Sequence, residues 1–180
     1  PGSFAEEILI DHRFVVPIDR DITYDQASLV EYFSCAYRLT SEICETQEIR
    51  KESPILIVGD GPIALANVQL LINFGFHNIT LIGKHDYRMD YAKRTGVEKT
   101  IKYTEIHRLK HSNKFNVCIY SVRAETTLCS LISYMNSYAY LFLQARVSNL
   151  KLLGKLKEKK FNFGRAFSCK ISDFVKVINL

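Results

Sequence analysis

A hexapeptide, Gly59-Asp60-Gly61-Pro62-Ile63-Ala64, carries the clearest chemistry in this chain. It follows an apolar run, Pro54 to Val58, and precedes a stretch whose apolar residues recur at helical spacing. A strand that ends in Gly-x-Gly-x-x-(Gly or Ala) and opens a helix brings backbone N–H groups up against a pyrophosphate. Gly59 permits the tight turn, and Gly61 lacks the Cβ that would block the phosphates. Ala64 is small enough for the helix to pack on the strands, and Pro62 fits a first helical turn where its missing N–H has no partner. The expectation is a dinucleotide held at Gly59, Gly61, Pro62 and Ile63. The same turn also suits another α/β domain, including an S-adenosylmethionine-binding methyltransferase.

The next strand should end in an acid if the bound ribose carries a free 2′-hydroxyl. At that point the chain reads Gly83-Lys84-His85, with Arg88 three residues further on. With no carboxylate expected there, Lys84 and Arg88 would attract a 2′-phosphate, and His85 could add a donor. NADP is therefore expected over NAD. The competing reading of Lys84 and Arg88 is solvated surface charge.

These residues need a scaffold of alternating strands and helices. From Ser53 onward, short apolar runs separated by helical stretches predict βαβ units and a mostly parallel sheet. Strands are expected at Pro54 to Val58, Ile79 to Ile82, Lys99 to Ile101, Phe115 to Tyr120 and Tyr138 to Leu143. Ile63, Ala66, Leu70 and Phe74 give the helix after the loop its apolar stripe, ending at Gly75. The next helix is expected to be capped by Asp86, to run through Arg94 and to stop at Gly96. Ahead of this core, Ala27, Val30, Phe33, Ala36 and Tyr37 predict a helix from about Asp25 to Cys44. Phe4 to Val16 reads as short strands at the edge of a β-rich unit, closed by Pro17, Asp19 and Asp21.

Composition sets limits on this reading. With 180 residues and 47% hydrophobic content the chain can build a packed core, so disorder is not expected. A net charge of +5 fits handling of an anionic small molecule and does not call for nucleic acid. The five cysteines are an odd number without C-x-x-C spacing, which argues against a disulfide framework or a structural zinc cluster. They read as reduced cytosolic thiols. No apolar run approaches a membrane span and the N-terminus lacks signal-peptide features, so a cytoplasmic protein is expected. Lys151 to Lys160 is locally basic and reads as a solvated face. The last residues, Ile178-Asn179-Leu180, break off an amphipathic pattern, as in a piece of a longer chain.

Taken in order, these segments resemble the medium-chain dehydrogenase/reductase superfamily, of the zinc alcohol and polyol dehydrogenase type. Gly2-Ser3-Phe4-Ala5-Glu6 is similar to its Gly-x-Phe-Ala-Glu segment, and Val15-Val16-Pro17 to the strand and proline that follow. Val58 to Leu71 is similar to its cofactor loop and helix, and Gly83 to Arg88 to NADP-type members, including ribitol-phosphate dehydrogenase-like proteins. Leu29-Val30-Glu31-Tyr32-Phe33-Ser34 resembles the family's Leu-Ile-Glu-Pro-Leu-Ser, which makes Glu31 the one zinc ligand to carry over. Tyr32 stands where the family has proline, and the family's cysteine and histidine ligands would precede Pro1. The chain also departs from the family at Ser121-Val122-Arg123-Ala124 and Gln144-Ala145-Arg146, where glycine-containing turns are usual near the nicotinamide.

The resemblance implies a Rossmann-type doubly wound parallel sheet over residues 25–180, preceded in residues 1–24 by the tail of a GroES-like β-rich catalytic domain. It implies NADP(H), an alcohol or carbonyl substrate, zinc in the full-length parent, and no catalytic residue within this stretch. Dimerisation through Tyr138 to Leu143 as an edge strand is a further expectation. Two other classes stand beside it: a noncatalytic Rossmann-like module, motivated by the altered turns, and the methyltransferase.

Overall fold

The computed structural model describes residues 5–18, 20–109, 114–145, 156, 160–164 and 169–179. Gly2, Ser3 and Phe4 of the resembling segment, Asp19, Arg146, and most of the basic stretch from Lys151 lie outside the described residues.

Six parallel strands are described: β1 (Ile55–Val58), β2 (Ile79–Gly83), β3 (Lys99–Lys102), β4 (Phe115–Tyr120), β5 (Met135–Leu143) and β6 (Asn162–Gly164). They form one sheet in the order β3-β2-β1-β4-β5-β6. This is the Rossmann order, and its direction reverses between β1 and β4. Ligands of such sheets bind outside the carboxyl ends of the strands at that reversal.

The central strands are buried along their length, and their apolar composition answers to both faces. Ile55 and Ile57 point to one face, into a core shared with Leu39, Ile43, Val68 and Leu71. Leu56 and Val58 point to the other, with Leu128 and Leu131. The first face is covered by α2 (Val30–Glu45), α3 (Pro62–Asn73) and α4 (Asp86–Thr95), and the second by α5 (Glu125–Leu131). A sixth helix, α6 (Ile171–Ile178), packs against α2.

The helix expected from Asp25 is split. A four-residue α1 (Tyr24–Ala27) is started by a capping box in which Thr23 and Gln26 satisfy each other's backbone N–H groups, and α2 begins after Ser28 and Leu29. In α3 the chain follows expectation: Pro62 opens it, and Gly75, at φ +88°, turns the chain after it. In α4 the cap position is His85, and Asp86 instead sits in the first turn, where its charge complements the helix dipole. Gly96 ends α4 at φ +116°.

Two expectations need correction. Among the described residues of 4–16 there is no strand; Asp11 caps a short 3-10 turn at His12–Phe14, and Leu9, Phe14 and Val15 are exposed. Among the described residues, strand propensity there has no neighbouring strand to pair with. The second concerns β5, which begins three residues earlier than expected and is covered on its outer side by β6. It is therefore not an edge, and the dimer argument based on Tyr138 to Leu143 loses its footing. While β4 advances from Phe115 to Val117, β5 advances from Met135 to Tyr140, and Tyr138 within that bulge holds φ +65°. On the opposite flank, β3 carries exposed lysines at both ends, and Lys102 Nζ lies 2.9 Å from Asp86 Oδ2.

Candidate dinucleotide-binding site

The loop Gly59 to Gly61 leaves β1 at its carboxyl end, beside the sheet's reversal, and α3 begins at Pro62. Gly59 holds φ +120°, a backbone region that L side chains rarely adopt. A Cβ there would also lie 3.0 Å from Val122 Cγ1. Gly61 serves differently: a Cβ built on it meets nothing within 4 Å. Its missing side chain faces open space that an incoming phosphate can use. Ala64, fully buried, packs in the same core as Ile55 and Ile57.

Beside the loop lies a cavity of about 320 Å³ lined by Gly59, Asp60, Gly83, Lys84, His85 and Val122, among others. Gly59, Gly83, Lys84 and His85, each singled out in the sequence, share this one cleft. Pro62 and Ile63 stand on the first turn of α3, and Arg88 on α4 with its guanidinium 5.4 Å from the ring centre of Tyr87. Among the described residues neither Lys84 nor Arg88 forms an ion pair.

The sequence reading missed Asp60. Its Oδ2 accepts hydrogen bonds from the backbone N–H groups of Lys84 at 2.9 Å and His85 at 2.7 Å, and lies 3.0 Å from His85 Nδ1. Burial pushes the Asp60 carboxyl up, but donation from His85 and Lys84 outweighs it and holds the group below its ordinary value. The absence of a carboxylate at the end of β2 is thus a property of the sequence alone. In space an acid is there, delivered from the neighbouring loop. Gly83 makes room for it: a Cβ at that position would lie 2.7 Å from Met89 Cγ and 3.1 Å from Asp60 Cβ.

The unusual turns after β4 and β5 also have an explanation. Ser121 Oγ and Asn67 Nδ2, from α3, both donate to Gln144 Oε1, at 2.8 and 2.7 Å. Ser121 and Gln144 therefore tie the ends of β4 and β5 to α3. Asn67 Oδ1 and Gln144 Nε2, both buried, have no partner among the described residues. Tyr120 is buried, donates to the carbonyl of Ala124, and has its hydroxyl pushed up to about 12 by burial.

Glu31 stands in the first turn of α2, with Cys35 Sγ 3.6 Å from its Oε1. Among the described residues no group of three or more His, Cys, Asp or Glu could hold a metal ion. Glu31 and its neighbours among the described residues supply fewer than the three or four ligands of a zinc site.

No protein-family model matches the chain. It is 31% identical over 97 residues to (R,R)-butanediol dehydrogenase of Saccharomyces cerevisiae, covering 54% of this chain and 24% of that enzyme. Against L-threonine 3-dehydrogenase of Chromobacterium violaceum it is 29% identical over 100 residues, or 56% and 28% of the two chains. Among solved structures, S. aureus TarJ in complex with NADPH superposes with a TM-score of 0.75 at 20% identity, covering 96% of this chain and 54% of TarJ. An alcohol dehydrogenase (rspB) of Escherichia coli CFT073, complexed with NADH, gives a TM-score of 0.71 at 20% identity over 90% and 49%. The matches thus span about a quarter of the curated relatives and half of the solved chains. Over about a quarter of their length, then, this chain is similar to butanediol and threonine dehydrogenases, and its sheet is Rossmann-like.

Proposed function

We propose that the chain is the cofactor-binding part of an NADP(H)-dependent alcohol or polyol dehydrogenase, or carbonyl reductase, of the medium-chain type. One observation carries this reading: a Gly-x-Gly-x-x-Ala loop at the sheet's reversal, open at Gly61 and opening a helix beside a cleft. The N–H groups at the start of α3 would hold the pyrophosphate, aided by the helix dipole. Bound there, the nicotinamide would supply or take up hydride.

The preference for NADP(H) rests on charge. The Asp60 carboxylate is already engaged by the amides of Lys84 and His85 and faces the His85 ring, whereas Lys84 and Arg88 carry no ion-pair partner among the described residues. An uncommitted cation in the cleft, Lys84, and a second on the first turn of α4, Arg88, favour a phosphate over a hydroxyl. The NADPH complex of TarJ is consistent with this, while that of rspB holds NADH.

The small-molecule substrate would be an alcohol or carbonyl compound bound by a β-rich catalytic domain, of which residues 1–24 would be the C-terminal part and residues 25–180 the cofactor domain. Glu31 would supply one ligand to a zinc ion in the full-length parent, where the metal would polarise the substrate oxygen. No helix among the described residues is long and apolar enough to cross a membrane. The unpaired cysteines favour a reducing, cytoplasmic setting.

Titration by fluorescence and thermal shift tests the proposal, with NADPH, NADH and S-adenosylmethionine run side by side. NADPH binding tighter than NADH, with no response to S-adenosylmethionine, is expected. A response to S-adenosylmethionine alone would overturn the reading.

A further inference from the structure

Cys35 and Cys169 are 134 residues apart in sequence, yet their Sγ atoms lie 3.5 Å apart in a partly buried position. Cys35 stands in the body of α2, and Cys169 in the residues that lead into α6. Both are free and neither is fully buried. The contact belongs to a built junction. Asp173, buried in the first turn of α6, accepts from the Lys170 backbone N–H at 2.7 Å. Lys176 Nζ lies 5.6 Å from the ring centre of Tyr37 on α2. The two elements are thus already docked, and the thiols meet inside the docked face.

A disulfide needs its sulfurs about 2.05 Å apart. Closing from 3.5 Å requires a side-chain rotation at Cys35 or Cys169, or a small shift of Cys169 and Lys170 toward α2. The remaining cysteines cannot compete for this role by the same route. Cys118 is enclosed within β4, while Cys44 and Cys129 are exposed and have no other cysteine as hydrogen-bond partner among the described residues.

We propose that Cys35 and Cys169 are a redox pair, which a peroxide converts into an intramolecular disulfide that pins α6 to α2. Cys169 attacks hydrogen peroxide and becomes a sulfenic acid, with release of one water; burial pushes the Cys35 thiol up and leaves it the resolving partner. The second thiol attacks that sulfur; the S–S bond forms as the S–O bond breaks, and the hydroxyl leaves with the second thiol's proton as another water. Two thiols are oxidised and one peroxide is reduced. Thiol reductants reverse the step by exchange. This proposal does not depend on the cofactor reading.

The test is to expose the full chain to hydrogen peroxide and then count thiols after denaturation, map disulfide-linked peptides by mass spectrometry, and follow Tm. The expected result is a fall from five free thiols to three, with one linked peptide pair containing Cys35 and Cys169. Closing so long a loop should also raise Tm, on the order of 5–10 °C, reversibly with dithiothreitol. Cys35→Ser and Cys169→Ser should each abolish the linked pair, while Cys129→Ser should keep it. Peptide mapping of the unaltered chain decides the matter even if a variant fails to fold. Separate over-oxidation of the two residues, linkage to Cys44 or Cys129, or linkage between molecules would overturn the proposal. So would a bound metal ion that shields both thiols from oxidation.

Discussion

Asp60 and His85 meet across the gap between the loop after β1 and the start of α4. The carboxylate takes the backbone N–H of His85 at 2.7 Å and faces the ring's Nδ1 at 3.0 Å. An acid from one strand's end thus occupies the amides at another's, where the adenosine ribose of a dinucleotide is expected to come. On the proposed function, cofactor choice becomes a contest between Asp60 and the cations Lys84 and Arg88.

Replacing the carboxylate measures that contest. Asp60→Asn removes the negative charge and keeps an acceptor oxygen for both amides, which donate to the same Oδ2. NADPH should bind roughly tenfold tighter in the variant, as expected for about 1.4 kcal/mol, while NADH changes little. Isothermal titration with both cofactors checks this. A loss of NADH affinity with NADPH unchanged would mean that Asp60 is instead the ribose acceptor.

The cations should report in the opposite sense. Lys84→Ala and Arg88→Ala each remove a charge beside the proposed 2′-phosphate, and each should weaken NADPH by about 1–2 kcal/mol in charge-assisted contact. NADH binding should barely move. Equal losses for both cofactors would place these residues on the shared pyrophosphate.

Acid stability follows from the same carboxyl, whose ionisation in the fold is held below its ordinary value. A group depressed in this way adds stability above its unfolded pKa, about 3.9, and that contribution fades as pH falls through the lower folded value. The stability difference between the unaltered chain and Asp60→Asn should be flat above about pH 5 and shrink below about pH 4. Urea unfolding across that range reads it directly.

Gly83→Ala tests the room behind Asp60. A methyl group there would press on Met89 Cγ at 2.7 Å and Asp60 Cβ at 3.1 Å. The expected cost is about 1–3 kcal/mol in stability, as for other overpacked sites. Displacing Asp60 should also shift cofactor choice as Asp60→Asn does.

Tyr138→Asn should stabilise the chain. Tyr138 is exposed and holds φ +65°, a region that costs an ordinary L residue roughly 1–2 kcal/mol and that Asn tolerates better. A gain of up to about 1 kcal/mol is expected, read as a higher urea midpoint.

How much of this was legible before the structure differs by residue. Strand and loop positions from Ile55 to Tyr120 followed from apolar runs and glycine punctuation, because parallel strands buried on both faces leave that pattern in sequence. The glycines of the loop were legible for the same reason: only glycine suits φ +120° at Gly59. Asp60 was not, because an acid inside the motif lies 24 residues from the amide it binds at Lys84, and spacing along the chain does not reveal that contact. Strand β6 was hidden because its three residues are too short for periodicity to register. The Phe4 to Val16 stretch misled in the opposite direction: its residue types favour strands, but a strand also needs a partner.

The lysines that bracket β3 act on the chain's company rather than on its chemistry. A flanking strand exposes unpaired N–H and C=O groups that invite a second molecule to stack on, and charged side chains at both ends of so short a strand, Lys99 and the Asp86-paired Lys102, discourage that stacking. Swapping Lys99 and Lys102 for valine would turn this margin into an adhesive border, and light scattering at rising concentration would register the growth of oligomers.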